Sequence, residues 1–154
     1  MLTHQGLRRH LGAALVLACG LGTGGLAQAI EYRSVAAPAI LYDAPSEKGK
    51  RLFIVAPGTP VEVVVTLDKW IKVRDPGGSI TWIERRALAA KRTVQVTAPR
   101  AAVRRQASES APLAFEASKD VVLELTDAPT EGWAKVRHTD GAVGYVRVTE
   151  VWGL

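Results

Sequence analysis

The chain has 154 residues and a formal net charge of +5 at pH 7, from 20 Lys and Arg against 15 Asp and Glu. A charge this mild favours anionic partners but does not identify one. Its single cysteine excludes a disulfide framework within the chain, so the fold must be stable on its hydrophobic core alone.

The first 29 residues have the order of a secretory signal peptide. Arg8 and Arg9 form a basic start, residues 11–26 are uncharged and largely apolar, and Ala27-Gln28-Ala29 presents small residues where a signal peptidase cleaves. We predict cleavage after Ala29 and a periplasmic or secreted protein. Removing the two arginines lowers the net charge to +3.

Two alternatives for this segment stay open. An uncleaved membrane anchor is disfavoured because the apolar run is short and rich in glycine, whereas a spanning helix needs about 20 mostly apolar residues. A lipid anchor on Cys19 is disfavoured because Val16 and Leu17 fit a lipoprotein signal poorly. We expect membrane association only if Cys19 is lipidated.

Strand signals follow in chain order from residue 30. Residues 61–65 and 70–74 are rich in β-branched residues with period-two apolar spacing, which predicts strands. Pro57-Gly58 and Asp75-Pro76-Gly77-Gly78 mark the turns around them. A short helical turn within residues 83–90 is the most helix that this part of the chain predicts.

The same pattern returns in the second half of the chain. Trp70-Ile71-Lys72-Val73-Arg74 recurs as Trp133-Ala134-Lys135-Val136-Arg137. A glycine follows eight residues after each Trp, and an aromatic residue follows twelve after it, as Trp82 and Tyr145. A repeat this regular predicts two copies of one small unit, at residues 30–91 and 92–154. No Gly/Ser linker separates them, so we expect a fixed or semi-fixed arrangement.

The motif of a Val-rich strand, Trp-x-Lys-Val-Arg, a glycine turn and an aromatic-Val pair resembles the bacterial SH3 domain family in its exported tandem form. That resemblance implies an all-β chain with two tandem small SH3-like β-barrels after the signal peptide. It also implies a peptide-binding module. One departure is that the glycine before the second aromatic, Gly144, is replaced by Thr81 in the first repeat.

Alternation along the strands predicts a binding surface. Residues two apart share a face of a strand, so the all-apolar positions of the Trp-x-Lys-Val-Arg motif should face the core. The other positions should face outward, where aromatic and Arg side chains are favoured interface anchors. The predicted ligand-binding residues are Trp70, Lys72, Arg74, Trp133, Lys135 and Arg137, with Tyr42 added as a groove aromatic of the first repeat. The competing interpretation is that each Trp caps a barrel or packs between the repeats under Lys and Arg stems.

The remaining aromatic residues are assigned to packing. Trp82 and Tyr145 share faces with Ile80 and Val143, which favours a core position for both. Trp152 is predicted to plug the last strand. Arg104 occupies the place of Tyr42 in the second repeat, which therefore lacks that aromatic.

Catalysis is disfavoured by the residues that are available beyond residue 29. Nucleophilic catalysis needs a nucleophile with a base in reach, yet that region has no cysteine and a single histidine, His138, in a turn. A metal site needs three or four suitable ligands, and a carboxylate pair of the glycosidase kind stays open on sequence alone. We predict a protein that is not an enzyme and uses no cofactor or metal.

The sequence therefore predicts an exported binding module of the bacterial cell envelope. Its partner would be a peptide or protein segment of the envelope, and a wall stem peptide of peptidoglycan is one candidate. Nucleic acid is disfavoured although Arg and Lys cluster near residues 85–105, because acidic residues are interspersed and the leader directs export. The alternatives are a structural or assembly component of an envelope complex and an accessory or regulator of a cell-wall hydrolase.

Overall fold

The structure is a computed structural model that describes residues 29–154. The signal peptide, the membrane anchor and the Cys19 lipid anchor concern residues that lie outside this range, apart from Ala29. No helix within residues 29–154 has the length and apolar character needed to cross a bilayer.

Fourteen short strands and two 3₁₀ turns make up the described chain. The first repeat contains β1 (Glu31–Val35), β2 (Ala39–Tyr42), β3 (Arg51–Val55), β4 (Pro60–Thr66), β5 (Trp70–Arg74), β6 (Ile80–Glu84) and β7 (Leu88–Ala89), with a 3₁₀ turn at Arg85–Ala87. The second contains β8 (Thr93–Val96), β9 (Arg100–Arg104), β10 (Leu113–Ser118), β11 (Val122–Leu125), β12 (Trp133–Arg137), β13 (Val143–Arg147) and β14 (Val151–Trp152), with a 3₁₀ turn at Val148–Glu150.

The two repeats form two antiparallel sheets of identical topology. The strand order is β3-β2-β6-β5-β4-β1-β7 in the first and β10-β9-β13-β12-β11-β8-β14 in the second. Each strand of one order has its counterpart at the same place in the other. The predicted all-β chain of two tandem SH3-like domains is confirmed.

Each sheet encloses its own apolar core. The first is centred on Ile71, Val73 and Ile83, which are fully buried, and the second on Leu123 and other fully buried aliphatic residues. Ile71 and Val73 alternate with half-buried neighbours along β5, because a pleated strand sends successive side chains to opposite faces. Burial of β-branched and leucine side chains therefore decides which face of each strand points inward.

The prediction that Trp82 and Tyr145 belong to the core is wrong. Both are half-buried on the outer faces of β6 and β13, beside Ile80, which is 48% exposed, and Val143. The inward positions next to Tyr145 are taken by Gly144 and a buried valine. Gly144 occupies the inner face where β13 passes close to β9, so the Tyr145 ring faces outward.

The repeats contact each other directly. Tyr32 of β1 meets Trp152 of β14 edge to face, with ring centroids 5.1 Å apart. The Oγ1 of Thr93 donates a hydrogen bond of 2.6 Å to the carbonyl of Gly58, and the guanidinium of Arg92 lies 5.6 Å from the Tyr32 ring centroid. Trp152, predicted as a plug for the last strand, thus packs against the other repeat.

Candidate functional site

An aromatic cluster lies on the outer face of the first repeat. Trp70 and Lys72 come from β5, where the inner face is held by Ile71 and its buried neighbour. The ammonium of Lys72 lies 5.5 Å from the ring centroid of Trp82, its cross-strand partner on β6. A cation over an indole face is attractive, so these side chains form one continuous surface.

Tyr42 is buried and packs against Trp70 of this cluster. It lies at the end of strand β2 opposite Trp82, is only 5% exposed, and meets Trp70 edge to face at a centroid distance of 5.2 Å. The predicted groove aromatic is therefore a buried support for Trp70, since a ring so covered offers little surface to a ligand.

Two small pockets border the cluster. One of about 260 Å³ is lined by Tyr42, and another of about 440 Å³ carries the carboxylates of Glu47 and Asp68, with Glu84 contributing to both. Glu84 is the cross-strand neighbour of Trp70. The larger pocket is also lined by Lys69, Arg85 and Arg86, so the surface next to Trp70 combines an aromatic face with charges of both signs.

Arg74 does not join the cluster. Its guanidinium nitrogen lies 2.8 and 3.1 Å from the two carboxylate oxygens of Glu62 on β4. Arg74 lies four residues from Trp70 along β5, a distance of about 13 Å. Its charge is neutralised by the ion pair with Glu62.

In the second repeat a pocket of about 240 Å³ lies at the outer aromatic face. Trp133 and Lys135 of β12 and Tyr145 of β13 line it together with Asp127 and Glu131. The ammonium of Lys135 lies 3.2 Å from the Asp127 carboxylate. The same strand positions therefore bring a Trp, a Lys and a second aromatic together in both repeats.

Trp133 is covered, unlike Trp70. The guanidinium carbon of Arg147 lies 4.3 Å from the Trp133 ring centroid, and the ring is only 6% exposed. Arg147 is held there by an ion pair with Glu109. Trp133 faces outward as alternation predicts, but the stacked guanidinium closes most of its surface.

Sequence reasoning missed the role of Arg147, although a signal exists. Arg147 is the cross-strand neighbour of Trp133, as Glu84 is of Trp70. The charge opposite the Trp is therefore reversed between the repeats. A basic residue opposite an aromatic favours stacking, whereas Trp70, opposite an acidic residue, has no such cover and is half-buried.

Arg104 takes the place of Tyr42 in the second repeat, as the sequence alignment of the repeats predicts. It pairs with Tyr145 in the sheet, as Tyr42 pairs with Trp82. Its guanidinium donates a hydrogen bond of 2.9 Å to the carbonyl of Ala111.

Arg137 lies apart from the pocket of its repeat. It is exposed at the far end of β12, where it borders a cleft at the repeat junction with His138. The Nδ1 of His138 lies 3.1 Å from an oxygen of Asp140. The backbone amide of Ala142 and then the His138 ring hold the pKa of Asp140 below its usual range.

Several of the basic residues that cluster near the junction have acidic partners. Arg86 pairs with Glu84, Lys91 with Glu124 and Arg100 with Glu116. Cations that are neutralised one by one form a weak field for a phosphate backbone. Within residues 29–154, no group of three or more His, Cys, Asp and Glu side chains is arranged to hold a metal ion.

Comparison with known families identifies both repeats. The model of the bacterial SH3 domain matches residues 35–89 and again residues 97–153. The chain therefore belongs to the bacterial SH3 domain family, in tandem form. Among curated proteins, no sequence matches it significantly.

Solved structures with a distant likeness include three NlpC-type proteins. NlpC2 of Trichomonas vaginalis has 13% sequence identity and a TM-score of 0.36, over 81% of this chain and 48% of its own. NlpC1 of the same organism has 14% identity and a TM-score of 0.37, over 88% and 50%. An NlpC/P60 family protein from Bacillus cereus has 17% identity and a TM-score of 0.37, over 79% and 56%. The chain spans about half the length of these proteins, and likeness at this level does not bear on its function.

Proposed function

We propose that this protein is an exported, non-catalytic binding module of the bacterial cell envelope that recognises a peptide through its aromatic faces. The peptide would be a wall stem peptide or a segment of a partner protein. The observation that supports this most is the recurrence of an outward Trp, a Lys and a second aromatic on the same two strands of both repeats. Membership of the bacterial SH3 family supports the same class of function.

The chemistry of the faces suits a zwitterionic peptide. Lys72 offers an ammonium group to a ligand carboxylate, and Glu47, Asp68 and Glu131, which line the pockets of the two repeats, offer partners for an amino group. Indole rings between them provide apolar area at low entropic cost. We expect the first repeat to bind more strongly, because Trp70 lacks the guanidinium cover that closes Trp133.

The experiment is a sacculus pull-down of the purified chain beside Trp70→Ala and Trp133→Ala variants. We expect Trp70→Ala to lose most of the sedimented protein and Trp133→Ala to lose less. Phe53→Ala is the matched control, because Phe53 is an aromatic residue that is 60% exposed on β3, outside the cluster. Failure of the chain to bind sacculi or any envelope protein at low salt would refute the proposal.

The competing structural role makes a different prediction about the tryptophans. If the protein were a passive assembly component with Trp70 and Trp133 between the repeats, iodide would quench neither. The junction is instead occupied by Trp152 against Tyr32, so we expect iodide to quench Trp70, which is only half-buried. Single-Trp variants distinguish the residues.

Export itself is proposed from the leader sequence. N-terminal sequencing of the protein recovered from a periplasmic extract should begin at Ile30. An intact leader would instead support the uncleaved membrane anchor, and a lipid-modified Cys19 would support the lipid anchor.

A further inference from the structure

A cleft of about 590 Å³ lies between the two repeats, away from both aromatic faces. Pockets of a few hundred Å³ at domain interfaces are common ligand sites. Its first wall consists of Val35, Pro57 and Gly58, and its second of Val122 with the turn that follows β12. The walls are largely apolar, with some polar residues such as Thr93 and Thr139, and the partly exposed charged residues Lys91, Glu124 and Arg137 form what we call the rim.

The rim contains an ion pair that crosses the repeat junction. The ammonium of Lys91, at the end of the first repeat, lies 3.0 Å from a carboxylate oxygen of Glu124 on β11. In the strand register Glu124 faces Arg137, just as Glu62 faces Arg74 in the first repeat. Lys91 therefore takes the carboxylate that the repeat pattern assigns to Arg137.

Arg137 is left without an anion as a result. Within residues 29–154, no carboxylate lies within ion-pairing distance of its guanidinium, whereas Arg74 is bound through both oxygens of Glu62. The side chain is exposed and borders the cleft beside His138. A guanidinium presents paired N–H donors that match a carboxylate.

The walls of the cleft are held in place by contacts between the repeats. The Thr93 hydroxyl donates to the Gly58 carbonyl on the cleft wall, and the Tyr32–Trp152 contact holds β1 against β14. A site with fixed walls loses less entropy when a ligand binds.

We infer that this cleft is a second binding site, which takes the C-terminal carboxylate of a peptide on Arg137 and lays its last side chains against the apolar walls. The site is independent of the aromatic faces: it uses neither Trp70 nor Trp133, and it exists only where both repeats are present. The junction creates this site, and neither repeat forms it alone.

The test is an NMR titration of the ¹⁵N-labelled purified chain with N-acetyl-trialanine that carries a free C-terminal carboxylate. We expect shifts at the backbone amides of Gly58, Val122 and Gly141. The C-terminally amidated peptide should produce no comparable shifts, and acetate alone should bind more weakly because it lacks the apolar contact. Equal binding of the amide or of acetate would overturn the inference.

Variants of the rim sharpen the test. Arg137→Gln should weaken binding at least about tenfold, the size expected for loss of a charged hydrogen bond. Arg74→Gln, at the matched position of the first repeat, should leave it unchanged. Glu124→Gln should strengthen binding several-fold because it frees Lys91, and Lys91→Gln should weaken it because Glu124 then turns to Arg137. An affinity that is insensitive to Arg137→Gln in a folded variant would refute the site.

Peptide binding at the cleft can be tested separately from sacculus binding through the aromatic faces. Trp70→Ala and Trp133→Ala should bind the trialanine probe normally even where they no longer sediment with sacculi. Loss of probe binding in those variants would mean that the cleft is not an independent site.

Discussion

Replacing Gly144 with Ala should destabilise the second repeat through a steric conflict that can be measured in the structure. A Cβ built at Gly144 would lie 2.6 Å from Cγ1 of Val103 and 2.7 Å from the carbonyl oxygen of Arg104. Carbon atoms normally approach to about 3.5–4.0 Å, so a shift of roughly 1 Å is needed. The conflict includes backbone of the paired strand β9, which cannot rotate away as a side chain could.

The expected loss follows from two opposing terms. Over-packing a core costs about 1–3 kcal/mol, and a contact with strand backbone places this site in the upper half of that range. Reduced freedom of the unfolded chain returns about 0.4–1 kcal/mol for Gly→Ala. We therefore expect a net loss of about 2 kcal/mol, and a shift of about 1 M in the urea midpoint for typical denaturant slopes.

The assay is urea unfolding followed by tryptophan fluorescence. Gly77→Ala is the matched control: it lies in an exposed turn of the first repeat, where the new Cβ would meet only the Asp75 side chain at 3.2 Å. Its midpoint should stay unchanged or rise slightly. An unchanged midpoint for Gly144→Ala would show that β9 and β13 separate freely, and the steric argument would fail.

Four further outcomes test the packing and the charges. Thr81→Val should stabilise the first repeat by about 1 kcal/mol in urea unfolding, because the buried Oγ1 has no hydrogen-bond partner within residues 29–154. Trp152→Ala removes the contact with Tyr32 and should lower the free energy of unfolding by at least about 0.5–1.5 kcal/mol, the size of an aromatic pair. The two repeats should then unfold in separate calorimetric transitions, and a single unchanged transition would contradict this. Burial, and then the charge of Glu62, raises the pKa of Tyr32. The neutral phenol thus favours the fold, and stability should fall as pH rises past about 10, a loss that Tyr32→Phe should reduce in alkaline urea titrations. Burial, and then the Glu109 charge, raises the pKa of Glu150. The protonated carboxyl therefore favours the folded state, and this stabilisation is lost as pH rises through the acidic range and Glu150 ionises. Glu150→Gln should therefore stabilise the protein at pH 7 but not at pH 3, and equal effects at both would refute the assignment.

The two repeats differ in how open their aromatic faces are. Trp70 faces an acidic neighbour, Glu84, whereas Trp133 lies under Arg147, which Glu109 holds in place. One topology thus presents an accessible face in the first repeat and a closed one in the second. Binding is expected to differ between them for this reason and not because the folds differ.

The sequence alone determined the all-β class, the tandem repeat and the inner face of β5 and β12. Alternation is a local property of the strand, so Ile71 and Val136 could be assigned to the core without knowledge of the rest of the fold. Alternation likewise placed Trp70 and Lys72 together on the outer face.

Local alternation did not determine which face of β6 and β13 is inside. Ile80 and Val143 are apolar, and their faces were therefore assigned to the core, yet both are more than 40% exposed. The inward side is set by the close approach of β9 to Gly144, a contact between residues far apart in the chain.

Only the tertiary structure decided what covers each outward side chain. Arg147 closes Trp133 across a strand pair, and Lys91 of one repeat takes Glu124 of the other, which leaves Arg137 at the junction cleft. The repeat pattern predicts the same partners in both copies. Ion pairs form between the charged groups that the folded chain brings close together, because their attraction falls with distance. Which groups are close depends on long-range packing, which no single strand determines.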